Sequence, residues 1–248
     1  MVIVDELNRI DAAFGGNRLL ATFTAEARAL FEPDATVVDL RDGEEVLRRG
    51  ENVSATLFPF GATMISLVVD DRADRSVEVA SVGREGAVGG IISCGHAPAF
   101  TRGTVQIAGP ALRLPMAALE EAKSRSPFVA NIFCRYSDYL LAQVMQSVAC
   151  NTFHSIQERA ARWLLTAQDR AGDRIELTQE SLAALLGAQR TTVNAVIGTL
   201  QGEGLISNRR GVVQVVDRAG LRRRACECHD RLASHFADVI GVGGSGGR

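Results

Sequence analysis

The sequence predicts an α+β chain in three parts: a β-rich N-terminal half, one long helix, and a C-terminal pair of short helices followed by a β-hairpin. Three observations carry this. Short β-rich runs recur between residues 35 and 114, separated by glycines and polar turns. No helix breaker stands between Pro127 and Asn151. Leu177 to Ile197 reads as two helices broken at Gly187.

Taken in order, Asn17 to Leu30 reads as a helical lead-in, with Leu19, Leu20, Phe23, Ala27 and Leu30 as its apolar positions. Strands are then expected at 36–40, 55–58, 63–69, 76–82, 103–107 and 111–114. Regularly spaced short strands with turn signals between them indicate a sandwich or barrel. Asp70 to Arg75 is a charged hairpin turn joining two of them. Met116 to Ala122 is a short helix, and Ser126-Pro127 starts a long one, since proline suits a first helical position. That helix should run for about six turns. It carries two apolar lines. Leu141, Met145 and Val148 form one, extended upstream by Cys134 and Asp138; Phe133, Tyr136, Leu140 and Val144 form the other. One line can pack on the β-rich half while the other meets a partner helix. The first is assigned to a dimer seam. His154 to Ala171 is a further helix.

Next comes the pair of short helices. Thr178 is the expected N-cap of the first, whose Leu182, Leu185 and Leu186 make one apolar face. Gly187 can turn left-handed without a Cβ penalty. The second helix buries Val193, Val196, Ile197 and Leu200 and turns Arg190, Thr191 and Asn194 outward. This is a helix-turn-helix whose exposed groups suit a major groove, where arginine reads guanine and asparagine reads adenine. Leu205-Ile206-Ser207 and Val212 to Val216 then flank the basic turn Asn208-Arg209-Arg210-Gly211, a hairpin wing able to touch phosphate. The glycine-rich tail, 241–248, is expected to be disordered.

Composition agrees. The net charge of −2 looks wrong for a DNA-binding chain, but it hides a split. Residues 1–100 hold nine arginines against sixteen acids; residues 174–224 hold eight arginines against four. The positive charge therefore lies around the helix-turn-helix and wing. The N-terminus has neither a basic region nor a long apolar core, so no signal peptide is expected. The apolar run 58–69 is too short to span a bilayer. A cytoplasmic location without membrane contact is expected. Five scattered cysteines with no export signal argue for reduced thiols. Cys226-x-Cys228-His229 is too tightly spaced for a usual zinc motif and shows no second ligand pair, so no metal and no cofactor is assigned. His96, His154, His229 and His235 stand without a nucleophile motif, a metal-binding helix motif or a phosphate loop, so no enzyme is expected.

With this order of parts the chain resembles the Crp/Fnr family of bacterial transcription regulators over nearly its whole length. The resemblance is strongest from Glu180 to Val193 and continues from Leu200 to Ser207. In the β-rich half it rests on Leu47 to Glu51, Gly61 and Val82 to Gly90. It implies a jelly-roll, cyclic-nucleotide-binding-like barrel over 1–125, a dimerisation helix over 126–151 and a winged helix-turn-helix over 152–240. It also implies a homodimer on a palindromic DNA operator, with a small-molecule effector and RNA polymerase as further partners. Arg190 falls on the family's guanine-reading arginine, and Gln189 and Thr192 where the family contacts phosphate. Thr191 replaces a base-contacting glutamate, and Ala195 a second reading arginine. The DNA-contacting set is thus Gln189, Arg190, Thr191, Thr192, Asn194, Arg209 and Arg210.

The effector cassette departs further. Gly89-Gly90 lacks the carboxylate that takes a ribose hydroxyl. Arg102, with Thr104, stands one residue out of register, and a one-residue slip in a strand turns a side chain to the other face. Val144 and Met145 replace hydroxyl groups that hold adenine. Gly89, Gly90, Arg102 and Thr104 remain the effector candidates, and control by cyclic AMP is not expected. The cysteine cluster of an Fnr-type iron–sulfur sensor is also missing from the N-terminal region. The competing reading is a small-molecule-binding regulatory module whose C-terminal domain contacts protein.

Overall fold

The computed structural model describes residues 2–73, 75–91, 98–209 and 211–241. It begins with a helix that lies before the first expected element, α1 (Val2–Gly16). Ile10, Ala13 and Phe14 fall at i, i+3 and i+4 and are buried. The lead-in from Asn17 is not one helix. The buried Asn17 amide donates to Pro59 and Gly86 carbonyls at 2.7 and 2.8 Å, and its oxygen accepts from Leu19 and Leu20. These bonds break the chain into a single 3₁₀ turn (Leu20–Thr22) and α2 (Ala25–Ala29), the latter capped by Thr24.

Seven strands follow: β1 (Thr36–Leu40), β2 (Glu45–Leu47), β3 (Ala55–Pro59), β4 (Met64–Asp70), β5 (Ser76–Val82), β6 (Arg102–Ile107) and β7 (Gly109–Pro115). They form two antiparallel sheets, ordered β1-β7-β3 and β2-β6-β4-β5. β2, three residues long, was not anticipated. Leu40, Leu57, Ile65, Val82, Val105 and Ala111 fill the space between the sheets. Phe58, Leu112 and Leu114 point the other way, into a second core with α1, α2 and the helices that follow β7. Both faces of β3 and β7 are therefore covered, which explains their nearly unbroken apolar runs.

After β7 come α3 (Met116–Arg125) and the long helix α4 (Pro127–Phe153). Ser126 caps α4 on the Val129 amide, with Pro127 in the first turn. The inward face of α4 holds Val129, Ile132, Phe133, Tyr136, Tyr139 and Gln143. Val144, expected on this face, is instead exposed with Leu141, Met145 and Val148, because Tyr139 and Gln143 take the inner positions. α5 (Ile156–Ala171) starts two residues later than expected. Ser155 and Glu158 form a reciprocal capping box, which leaves His154 as the C-cap of α4.

The C-terminal unit comprises β8 (Arg174–Glu176), α6 (Gln179–Leu186), α7 (Arg190–Gly202), β9 (Ile206–Arg209), β10 (Val212–Val215) and α8 (Arg218–Arg224). Its core contains Trp163, Leu164, Leu182, Val193, Ile197, Ile206 and Leu221, and extends to Met64 and Val68 of the barrel. α9 (Cys228–Ile240) then runs back along α4, and its Phe236 and Ile240 join the core of the N-terminal helices. The sequence reading placed this segment within the C-terminal domain. The glycine-rich tail beyond residue 241, like Cys94, His96 and Arg210, lies outside the described residues.

Candidate nucleic-acid interface

The helix-turn-helix is built by local sequence. Thr178 Oγ1 accepts from the Ser181 amide at 3.0 Å and starts α6. Gly187 ends it at φ 60°, in the left-handed region. A Cβ there would also come within 3.3 Å of Val77, so a close approach of the turn to β5 adds to the need for glycine. α7 then buries Val193, Val196, Ile197 and Leu200. With these four sides fixed, Gln189, Arg190, Thr191, Thr192 and Asn194 are all exposed at the N-terminal end of the same helix.

Arg190 is held only loosely. Its nearest carboxylate is Glu180 at 3.8 Å, with both side chains mostly exposed. Such surface pairs contribute at most about 1 kcal/mol, so a base or phosphate can displace the glutamate. The sequence reading stopped at Asn194, but the outward surface continues. Gly198 lies one turn further on, exposed, with open space around it. Its spacing, i+4 from Asn194, was a signal available in the sequence: a smooth helix surface lets backbone approach a groove wall closely.

The wing is a hairpin of β9 and β10 with β8 on its outer edge, in the order β8-β10-β9. Val213 and Val215 are buried, and Arg209 is exposed at the turn. Arg174 on β8 and Arg209 stand on this sheet with the exposed groups of α7 on the same domain.

The effector candidates are dispersed. Arg102 is spent on Asp70, with Nη2–Oδ1 at 3.0 Å and Nε–Oδ2 at 3.2 Å, and it donates to Thr104 Oγ1 at 3.1 Å. That arginine bond, with a further one from Ser76, lowers the Asp70 carboxyl below its ordinary range. Gly89 and Gly90 lie elsewhere, under packed atoms. A Cβ on Gly90 would fall 2.0 Å from Met116 Sδ, and one on Gly89 2.5 Å from the Ala55 carbonyl oxygen. A cavity of 420 Å³ does open beside β1, β2 and β3, but none of these four residues lines it. Its charged lining is Asp39, Glu44, Glu45 and Glu51 against Arg48 and Arg113. A second cavity, of 240 Å³, lies where the barrel, α4, α5 and α9 meet, and Arg18, Arg84, Arg162 and Arg170 border it with Glu78, Glu85 and Asp169.

The five residues assigned to a dimer seam, Cys134, Asp138, Leu141, Met145 and Val148, all lie on the outer face of α4. Their spacing of four, three, four and three residues makes a continuous seam along the helix.

Comparison with known proteins matches these features. Residues 158–224 fit the Crp-like helix-turn-helix domain. Over 52 residues the chain is 44% identical to the HTH-type transcriptional regulator Cmr of Mycobacterium tuberculosis; that alignment spans 21% of each chain, about a fifth of the relative's length. Among solved structures, a transcriptional regulator of the Crp/Fnr family from Eubacterium rectale aligns with a TM-score of 0.65 at 16% identity, covering 86% of this chain and 97% of that one. FixK2 from Bradyrhizobium japonicum aligns with a TM-score of 0.65 at 16% identity, covering 77% and 98%. A CRP-family transcriptional regulator from Thermus thermophilus aligns with a TM-score of 0.63 at 19% identity, covering 76% and 96%. Residues 158–224 are thus a Crp-like helix-turn-helix domain, and the chain as a whole has the fold of these solved structures. The family model matches the C-terminal unit, and the likeness to the solved Crp/Fnr-family structures over the rest of the chain is one of fold.

Proposed function

We propose that the chain acts as a homodimer that binds a palindromic duplex site sequence-specifically, placing one α7 in each of two successive major grooves. The observation that carries this is the polar, exposed N-terminal half of α7 backed by a buried apolar face. Arg190 and Asn194 are the base readers, Gln189, Thr192 and Arg209 the phosphate contacts. Thr191 adds a small hydroxyl at the groove floor. The apolar face of α4 supplies the two-fold partner contact, which a single recognition helix needs for useful affinity. On this reading residues 1–125 sense, 126–151 dimerise, and the segment from 152 to the end of α8 binds DNA.

The barrel answers to a small molecule other than cyclic AMP. The ion-paired Arg102, the filled surroundings of Gly89 and Gly90, and the acidic lining of the barrel cavity all disfavour a cyclic phosphate. RNA polymerase is the further partner such a regulator would meet on DNA. No helix among the described residues is long and apolar enough to cross a membrane, and a cytoplasmic setting suits a DNA-bound regulator.

The test is selection of bound duplexes from a random pool by the purified chain, followed by titration with salt. A recovered inverted repeat and a steep fall in affinity with salt are expected. Failure to retain duplex DNA at low salt would favour the competing module that contacts protein. Cyclic AMP at saturating concentration should leave the melting temperature unchanged, since any ligand that prefers the folded state must raise it.

A further inference from the structure

Four metal-binding side chains converge at the junction of α4 and α5. Cys150 lies in the last turn of α4, and His154 is that helix's C-cap. Cys228 opens α9 and Cys226 lies in the short connection just before it, more than seventy residues later. Their donor atoms all lie within 4.8 Å of one another. Cys150 Sγ is 3.6 Å from Cys226 Sγ, and Cys228 Sγ is 3.5 Å from His154 Nδ1. A tetrahedral zinc with the usual bonds to sulfur and nitrogen has ligand edges of about 3.8 Å between sulfurs and about 3.5 Å between sulfur and nitrogen. The three thiols are free and buried. The sequence reading paired Cys226 and Cys228 with His229 and found no second ligand pair. In the structure His229 turns away, with Nε2 2.7 Å from Asp169 and Nδ1 2.9 Å from Asp230, and the second pair is Cys150 with His154.

The surroundings suit a metal as well as the donors do. His154 Nε2 faces the Glu227 carboxylate at 3.3 Å, the arrangement in which a ligating imidazole hands its other N–H to an acid. Gln146 Nε2 donates to Cys228 Sγ at 3.0 Å. Three thiolates around a divalent ion leave one net negative charge. Arg159 and Arg162 of α5 lie close enough to act on Cys150, and each keeps a buried Nε with no hydrogen-bond partner among the described residues.

We propose that Cys150, His154, Cys226 and Cys228 form a structural zinc site that fastens the start of α9 to the end of α4, beside the turn into the DNA-binding domain. Three soft thiolates and one imidazole with no open position are the donor set of a closed zinc site. A multi-iron cluster would hold its ligand sulfurs further apart, because irons and bridging sulfides stand between them. Loading forms three Zn–S bonds and one Zn–N bond, releases the thiol protons to solvent, and changes no oxidation state.

The full-length chain, purified without chelator, should carry about one zinc per chain by elemental analysis. After chelation, cobalt(II) should restore thiolate-to-metal charge-transfer bands and the intense ligand-field bands of a tetrahedral site. Cys228→Ser and His154→Ala should each weaken zinc retention by about tenfold or more. Cys134→Ser, at an exposed thiol, should leave it unchanged. If the ligand variants fold poorly, the wild-type chain still decides: an organomercurial thiol reagent should release about one zinc per chain, read with a chromogenic chelator. Zinc far below stoichiometry even after incubation with added zinc would overturn the proposal. So would iron with acid-labile sulfide, or a Cys150–Cys226 disulfide in the native chain. None of these readouts depends on DNA binding.

Discussion

The Arg170 guanidinium and the Glu85 carboxylate form a buried ion pair that joins α5 to the turn after β5. Their side chains are 8% and 11% exposed. Arg170 also donates to the Ser81 hydroxyl and the Ser81 carbonyl, each at 3.0 Å. Gly83 makes room for it, since a Cβ there would fall 2.5 Å from Arg170 Cδ. The glycine turn that resembles the approach to a phosphate cassette is thus a seat for an arginine of the helix leading to the DNA-binding domain.

Removing one partner should therefore be costly. Arg170→Met leaves the Glu85 carboxylate buried and unpaired, and should destabilise the chain by about 3–5 kcal/mol in urea unfolding. Adding Glu85→Leu should restore much of that loss, because replacing both charges with apolar groups removes the stranded ion. A loss below about 1 kcal/mol for Arg170→Met would show that water reaches the carboxylate.

Glu78 gives a pH prediction at the same contact. It is half-buried on β5, where its carboxylate accepts from the Ser66 hydroxyl and from Trp163 Nε1 at 3.3 Å. Burial, only partly offset by these bonds and by Arg162 and Arg170, raises its carboxyl above the ordinary 4.5. An acid raised by folding contributes stability that is complete below the unfolded value and is lost as pH rises through the folded one. Glu78→Gln keeps the hydrogen bonds and removes that titration. Its melting temperature should exceed wild type at about pH 7.5 and converge with it near pH 4. Calorimetry across pH reads this directly; a lower melting temperature at neutral pH would make the ionised Glu78 a net stabilising partner of Arg162 and Arg170.

The proposed dimer has an equally direct check. Leu141, Met145 and Val148 are 51%, 61% and 64% exposed on one face of α4. Leu141→Asp with Met145→Asp places carboxylates on that face, where an apolar contact would have to desolvate them. Sedimentation should show monomers with unchanged helix content. A persisting dimer would move the interface to another surface.

What was legible in the sequence was local. α6, its turn and α7 span 24 residues, and their caps, their glycine and their apolar spacing are all read within one or two turns. Six of the seven strands between Thr36 and Pro115 announced themselves as β-rich runs between glycines and polar turns, and their sheet order came from pairing. What was not legible needed distance. Glu85 meets Arg170 across 85 residues, and Cys150 meets Cys226 across 76. No spacing rule joins such pairs until β5 is packed on α5 and α9 on α4. α1 was missed for another reason: its apolar positions Ile10, Ala13 and Phe14 are few, and their meaning depends on the β1–β7–β3 sheet they cover. Arg102 shows the converse. Motif position suggested a ligand, and tertiary pairing gave it to Asp70.

The last prediction separates base reading from phosphate contact. Arg190 opens α7 with its side chain exposed, and its ion-pair partner Glu180 is exposed as well. A guanidinium so placed can bond two acceptors of one guanine. Arg190→Ala should cost about 1–3 kcal/mol on the selected site and relax the preference at one base pair in each half-site. Arg209 is the exposed last residue of β9, at the turn of the wing. Arg209→Ala should weaken all duplexes by the same factor and make binding less steeply salt-dependent, as loss of a single phosphate contact does. Both side chains are exposed, so both variants should melt with the wild-type chain. The measurement is affinity on a panel of single-base operator variants at two salt concentrations. If Arg190→Ala lowered affinity equally on every duplex, random DNA included, Arg190 would be a phosphate contact, and the base readers would have to be sought among Thr191, Asn194 and their neighbours on the same face.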